Sequence, residues 1–309
     1  MSLGFVFPGQ GSQSVGMLAD IGDVHPNVKQ RFLEAGDAIS VDLWEIVSNG
    51  PEAELVSTAI TQPALLTASY ALWEIWQTHS PDRPTALAGH SLGEYSALLC
   101  SGAMAFTDGV KLVNRRGQLM QEAVPKGEGT MAAVLGLDDA VVEKCCDAID
   151  GVVSAANYNA PGQIVIAGAT QAVHQAVRNC QDAGARRTLL LDVSGPFHSA
   201  LMLPARDAFA VELAAVALDE PTIPIVQNVD GAVAGSLDEL KQKLLQQLGQ
   251  PVLWTRCIQT MASMGVDHFV ECGPGRVLSG LVKRIDKSLS SGNLGTLQGV
   301  DKELGRGDE

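Results

Sequence analysis

The sequence predicts an α/β protein with a small β-α-β-β-α-β unit set inside a larger α/β subdomain. Three observations carry this. Short apolar runs alternate with helical periodicity over the first 127 residues and again after residue 193. One junction reads Gly89-His90-Ser91-Leu92-Gly93, a Gly-x-Ser-x-Gly between a strand and a helix. Residues 129–191 read strand, helix, strand, strand, helix, strand, which is the ferredoxin-like order. The expected organisation is a large catalytic subdomain from 1–127 and 194–309, with 128–193 as the inserted small subdomain. A cleft between the two is a natural place for a site.

The elements follow in order. Leu3-Gly4-Phe5-Val6-Phe7 reads as a first buried strand, and Pro8-Gly9-Gln10-Gly11-Ser12-Gln13 as a tight loop after it. Glycines on both sides of Gln10 let its backbone approach a ligand. A helix opens at Pro26, shorter helices cover about 41–49 and 51–57, and Thr61-Gln62-Pro63 opens a longer one to about Thr78. Ala86-Leu87-Ala88 is a short strand ending at Gly89, and helical spacing begins at Glu94. Asp108 is expected to cap a helix to about Ala123.

In the insertion, strands are expected at Thr130–Leu135, Val152–Asn157, Ile164–Ala167 and Arg187–Leu191, with helices at Asp138–Ala148 and Thr170–Ala183. The chain then returns through the loop Ser194-Gly195-Pro196-Phe197-His198-Ser199. Beyond it lie a helix to about Leu218, a strand within Ile223–Val229, helices from Ser236 to Leu248 and from Val252 to Met264, a strand at His268–Glu271 and a helix from Arg276 to about Asp286. The tail after Ser288 is polar, and its last residues are expected to be mobile.

Bulk properties exclude several functions. The chain has 309 residues, of which 46% are hydrophobic and 18% charged, so it can bury a large core. Its net charge is −14, from 21 basic and 35 acidic residues, which argues against general nucleic-acid binding. The six cysteines form no C-x-x-C pair, and a reducing cytoplasm is the expected location. The apolar run at the N-terminus stops at Pro8, too short for a signal peptide, and no stretch is long enough to span a membrane.

The chemistry centres on Ser91. A sharp strand-to-helix turn leaves no room for β-carbons two residues to either side, which explains Gly89 and Gly93. It lifts the hydroxyl clear of the sheet, with the Leu92 N–H facing a developing oxyanion at a helix N-terminus. A nucleophilic serine needs a base. Of the six histidines, His90 adjoins Ser91 on a turn that points neighbours apart. His25 and His79 sit at helix ends, His174 lies on a surface helix, and His268 starts a strand. His198 remains, in a loop fixed by Pro196, shielded by Phe197 and bordering the expected cleft. Asp192 or a backbone carbonyl could orient it. Arg115 and Arg116 lie about 100° apart on their helix, so only one can face inward. A buried guanidinium would select an acyl group ending in a carboxylate. Spacing alone favours the simpler reading of Arg116 as a surface arginine.

Taken together, the Pro8–Gln13 loop, Gly89-His90-Ser91-Leu92-Gly93-Glu94-Tyr95-Ser96-Ala97, Arg116-Gly117, Asn157-Tyr158-Asn159-Ala160-Pro161-Gly162-Gln163, Gly195-Pro196-Phe197-His198-Ser199 and Gly273-Pro274-Gly275-Arg276-Val277-Leu278 resemble, in that order and over almost the whole length, the bacterial malonyl-CoA:acyl carrier protein transacylases. The resemblance implies an α/β-hydrolase-like large subdomain with a ferredoxin-like insertion. It implies Ser91 as acyl carrier, His198 as base, Arg116 on the malonyl carboxylate, and the Gln10 and Leu92 N–H groups as oxyanion hole. A family glutamine whose carbonyl meets the histidine falls at Gln247. Phe197 resembles malonyl-selective members.

The resemblance implies malonyl-CoA and a phosphopantetheinylated acyl carrier protein as substrates, with no cofactor or metal and a monomeric enzyme. Candidate docking residues for the carrier protein are Arg186, Arg187, Arg276, Lys283 and Arg284. A serine thioesterase or esterase on the same elbow, or a non-catalytic carrier-protein docking module, are the competing readings.

Overall fold

A computed structural model describes residues 2–305. Five strands form one all-parallel sheet in the order β7-β2-β1-β8-β9: β1 (Leu3–Phe7), β2 (Ala86–Gly89), β7 (Ile225–Val226), β8 (His268–Glu271) and β9 (Ser290–Asn293). Helices cover both faces, so β1 and β2 are buried almost throughout, as apolar strands in a parallel sheet must be. Four further strands, β3 (Gly129–Leu135), β4 (Val153–Ala160), β5 (Gln163–Ala169) and β6 (Arg187–Leu190), form a separate antiparallel sheet in the order β4-β5-β3-β6. The helices Asp139–Asp147 and Thr170–Asp182 pack on it around a core of their own that includes Val142, Ile164, Ile166 and Val173. The α/β class and the ferredoxin-like strand order are both as the sequence predicts.

The small sheet is tied to the large one. Val252 donates its N–H to the Ala156 carbonyl at 2.9 Å, and its own carbonyl accepts the Tyr158 N–H at 2.9 Å. This parallel bridge pins β4 beside the segment that precedes the helix Trp254–Ser263.

Two expectations are corrected. The long helix runs from Thr58 to His79, so Pro63 lies inside it rather than at its start. Proline withholds the N–H that would bond the Ala59 carbonyl. The Asn114 side-chain amide supplies the missing donor at 2.8 Å, which is why a helix can carry a proline there. The next helix begins at Phe106, and Asp108 sits in its first turn without capping it. In the polar tail, where the sequence suggested no element, β9 pairs in parallel with β8 and a helix spans Leu297–Glu303. That helix is anchored by a 2.8 Å contact from Glu303 to His268 Nε2. A β-carbon at Gly292 would meet the Glu303 carboxylate, so that side chain would have to shift. The last four residues, for which mobility was expected, lie outside the described residues.

Substituting Asn114 with alanine is expected to cost about 1 kcal/mol of stability. In a Pro63→Ala background the restored N–H takes over the Ala59 carbonyl, and the cost should fall toward zero. A double-mutant cycle by urea unfolding checks this.

Candidate active site

Strand register assembles the site. Phe7 pairs with Gly89, so the loop leaving β1 and the turn leaving β2 emerge side by side at the C-terminal edge of the sheet. The His90 N–H bonds the Phe7 carbonyl at 2.9 Å. A β-carbon on Gly9 would sit 2.5 Å from the His90 carbonyl oxygen, so only glycine lets Gln10 come this near Ser91. In the elbow itself, a β-carbon on Gly89 would run into the Gly93 backbone, and one on Gly93 into the Phe7 carbonyl. Both glycines are sterically required, as the sequence predicts.

Ser91 adopts φ 52° and His198 φ 59°, both in the left-handed region. Each such non-glycine residue costs on the order of 1 kcal/mol, a strain that persists only where surrounding contacts over-determine it. At Ser91 those contacts come from Asn228. Its Oδ1 accepts the Ser91 N–H at 2.7 Å, and its Nδ2 donates to the Gly89 carbonyl at 2.7 Å. One side-chain amide thus clamps the backbone on both sides of His90. The Ser91 N–H is thereby committed, whereas no protein acceptor takes the Gln10 or Leu92 N–H among the described residues.

His198 is 3% exposed. Its Nδ1 lies 2.7 Å from the Gln247 carbonyl, which accepts and therefore fixes the proton on Nδ1. Nε2 is left to accept the Ser91 hydroxyl proton, at 2.7 Å from Oγ. The orienting partner is thus the backbone carbonyl and not Asp192. Burial, and next the Arg116 guanidinium, push the imidazole down to about 3, so it is neutral and able to take a proton at neutral pH.

Arg116 is 1% exposed, while half-buried Arg115 turns outward to Glu212 at 3.0 Å. The inward turn is possible because Gly117 lets its helix touch the Thr58 backbone, where a β-carbon would not fit. Arg116 Nη1 donates to Gln62 Oε1 at 2.9 Å, and Nη2 donates to Gln247 Oε1 at 2.8 Å and to Ser91 Oγ at 3.3 Å. Its guanidinium carbon stands 5.2 Å from the centre of the Tyr95 ring. Burial lowers its affinity for the proton, yet a guanidinium stays charged in proteins. Among the described residues no carboxylate touches it, and its Nε has no partner. The reading from spacing, a surface arginine, is overturned.

These groups line a cavity of about 200 Å³ between the two sheets. Gln10, Ser91, Leu92, Arg116, Phe197 and His198 come from the large part, and Met131, Asn157, Asn159, Gln163, Val165 and Leu191 from the small one. Gln247 lies behind it, fully buried. His90 points away from the base position and bonds Asn159 Oδ1 through Nε2 at 2.8 Å, bridging the cleft. Among the other histidines, His25 is half-buried against His79, with ring centres 5.8 Å apart. No cluster of His, Cys, Asp and Glu among the described residues could hold a metal ion, and no described helix is long and apolar enough to cross a membrane.

Sequence reasoning missed Asn228, Gln62 and the structural part played by Glu94. Asn228 had a usable signal, since Gln227-Asn228 directly follows the buried strand β7 at the edge where sites collect.

The sequence profile of the acyl transferase domain matches residues 4–302, and the chain belongs to that family. Among relatives within it, the malonyl CoA-acyl carrier protein transacylase of Escherichia coli O157:H7 is 53% identical over 292 residues, 94% of each chain. Solved structures agree. An acyl carrier protein S-malonyltransferase from Vibrio cholerae superposes with a TM-score of 0.95 at 48% identity, covering 98% of this chain and 100% of that one. A malonyl-transacylase in complex with a type II polyketide-synthase acyl-carrier protein gives 0.97 at 46% identity, covering 99% of both. The family resemblance read from the motifs is borne out.

The pH dependence of stability follows from His198. The unfolded imidazole gains a proton below about pH 6.5, and the folded one only near the value of about 3. Between these the unfolded state binds more protons, so stability falls as pH drops from 6.5 toward 3. His198→Gln removes this loss. Relative to the parent it should gain about 2 kcal/mol between pH 7 and pH 5, measured by chemical unfolding at each pH.

Proposed function

We propose that this enzyme moves the malonyl group from malonyl-CoA to the phosphopantetheine thiol of an acyl carrier protein, through an ester on Ser91. The observation that carries the reading is Arg116: a buried cation with no carboxylate partner among the described residues, aimed at the serine oxygen. A malonyl carboxylate placed there gains a charge-assisted, two-pronged hydrogen bond and neutralises a buried charge. Relatives over nearly the whole chain are transacylases of this type.

The steps use the groups already in place. His198 Nε2 takes the Ser91 proton as Oγ attacks the thioester carbon. The oxyanion rests on the Gln10 and Leu92 N–H groups, each such donor being worth roughly 100- to 1000-fold in rate. The carbon–sulfur bond breaks, CoA leaves with the proton from His198, and malonyl-Ser91 remains. The carrier-protein thiol then gives its proton to His198 and attacks the ester, and Ser91 leaves with that proton. The Gln247 carbonyl steadies the imidazolium in both halves. No cofactor or metal enters this scheme. Phe197 lines the acyl pocket and favours malonyl over a branched analogue.

The residues 1–127 and 194–309 are read as the catalytic subdomain and 128–193 as the insertion. The enzyme is read as a cytoplasmic monomer. The carrier protein is assigned to the rim where Arg186, Arg187, Arg276, Lys283 and Arg284 are exposed. Arg284 bonds the Gln163 side chain, which lines the cavity, and Arg276 precedes Val277 at the cavity mouth.

Intact-mass measurement after exposure to malonyl-CoA should find a malonyl adduct that Ser91→Ala abolishes and that added carrier-protein thiol discharges. Rapid release of free malonate instead would mark a hydrolase. Arg116→Ala should reduce the preference for malonyl-CoA over acetyl-CoA by about 10- to 100-fold.

Reversing the charge of Lys283 and Arg284 together should raise KM for the carrier protein several-fold and leave KM for malonyl-CoA unchanged. Steady-state kinetics with each substrate varied in turn checks it.

A further inference from the structure

Behind Ser91 lies a carboxylate that the scheme above does not use. Glu94 sits in the first turn of the helix Gly93–Cys100 and is 1% exposed. One of its oxygens accepts from Gln227 Nε2 at 3.1 Å. The other accepts from the Asn228 N–H and from Gln247 Nε2, each at 2.9 Å. All three partners are donors, and the two amides cannot turn round. Gln227 Nε2 also serves the Leu240 carbonyl at 3.2 Å, and Gln247 Oε1 is held by Arg116. A protonated Glu94 would have to aim its O–H at an N–H. Burial pushes the Glu94 carboxyl up, while the hydrogen bonds from these three donors favour its ionised form.

Arg116 and Glu94 are opposite charges buried in one layer, yet they do not touch. The Gln247 side-chain amide stands between them, with Oε1 on the guanidinium at 2.8 Å and Nε2 on the carboxylate at 2.9 Å. A direct ion pair would satisfy Arg116 and leave it nothing to offer a substrate. An isolated Arg116 would carry the full cost of a buried charge. The inserted amide gives an intermediate state. The guanidinium is partly compensated at rest, and its face toward Ser91 stays open to a second carboxylate.

We propose that Glu94 is a positioning residue that sets the strength of the Arg116 clamp: its fixed negative charge, one amide away, holds the guanidinium in place and opposes the incoming malonyl carboxylate. The malonyl group must be handed on within each cycle. A grip equally tight on substrate, ester and product would bind without speeding turnover. Glu94 loosens that grip for a carboxylate-bearing acyl group and does nothing to a neutral one. The inference rests on the reading of Arg116 given under the proposed function.

The test separates the two. In a Ser91→Ala background, which cannot be acylated, Kd for malonyl-CoA and for acetyl-CoA is measured by calorimetry. Adding Glu94→Gln should tighten malonyl-CoA about 10-fold, as expected for removing a like charge at this range, and leave acetyl-CoA unchanged. Glu94→Asp, which keeps the charge, should restore the parent ratio of the two constants. A folded Glu94→Gln protein that binds malonyl-CoA no tighter, or both thioesters equally better, overturns the proposal. Arg116→Ala in the same background reports on the underlying reading. If it keeps the preference for malonyl-CoA, it is the assignment of Arg116 that fails.

Should Glu94→Gln not fold, infrared difference spectra of the Glu94-intact Ser91→Ala protein with isotope-labelled glutamate decide. The expected result is an ionised carboxylate band at neutral pH that shifts with malonyl-CoA and not with acetyl-CoA. A carboxylic-acid band there, or identical shifts with both, overturns the proposal.

Discussion

The site depends on one glutamine. The backbone carbonyl of Gln247 fixes the tautomer of His198, and its side-chain oxygen holds Arg116. Its side-chain nitrogen reaches Glu94 and the Ser91 carbonyl, at 2.9 and 3.0 Å. His198, Arg116, Glu94 and Ser91 are thus all referred to a single residue at the C-terminal end of the helix Leu237–Gln246. Groups that must be held within a few tenths of an ångström of one another are best hung on one rigid point, because independent supports would add their errors. The cost is that no part of the constellation can shift alone.

The parts legible in the sequence were those whose chemistry forces a local pattern. Gly89 and Gly93 are there because a β-carbon does not fit, so the elbow shows as a motif. Phe197-His198 shows because a loop histidine between a proline and a new helix has little else to do. Arg116 shows only as one of two adjacent arginines. Spacing says that the two cannot both turn inward, and it does not say that either does. What decides it is Gly117 against the Thr58 backbone, a tertiary contact.

The same limit explains the remaining differences. Pro63 looks like a helix start until Asn114, 51 residues away in sequence, is seen to replace its missing donor. Ser290-Ser291-Gly292-Asn293 has no strand pattern, because its pairing is dictated by the ladder of β8 and by the packing of Glu303. Glu94 was visible as a letter in the elbow motif. Its charge state is a property of three donors brought from beyond residue 226. Local sequence records local sterics; a buried electrostatic network spread over four segments leaves no local trace.

The commitment of the Ser91 N–H to Asn228 has a consequence for the newly made chain. In the proposed scheme the serine's own amide is thus taken, and charge on the attacked carbonyl is received by the Gln10 and Leu92 N–H groups. These belong to separate segments that the pairing of β1 with β2 brings side by side. The base arrives more than a hundred residues later, and its anchor later still. An emerging or partly unfolded polypeptide therefore carries the serine without the means to use it. In that scheme, reactivity toward thioesters is withheld until the last of these segments has docked.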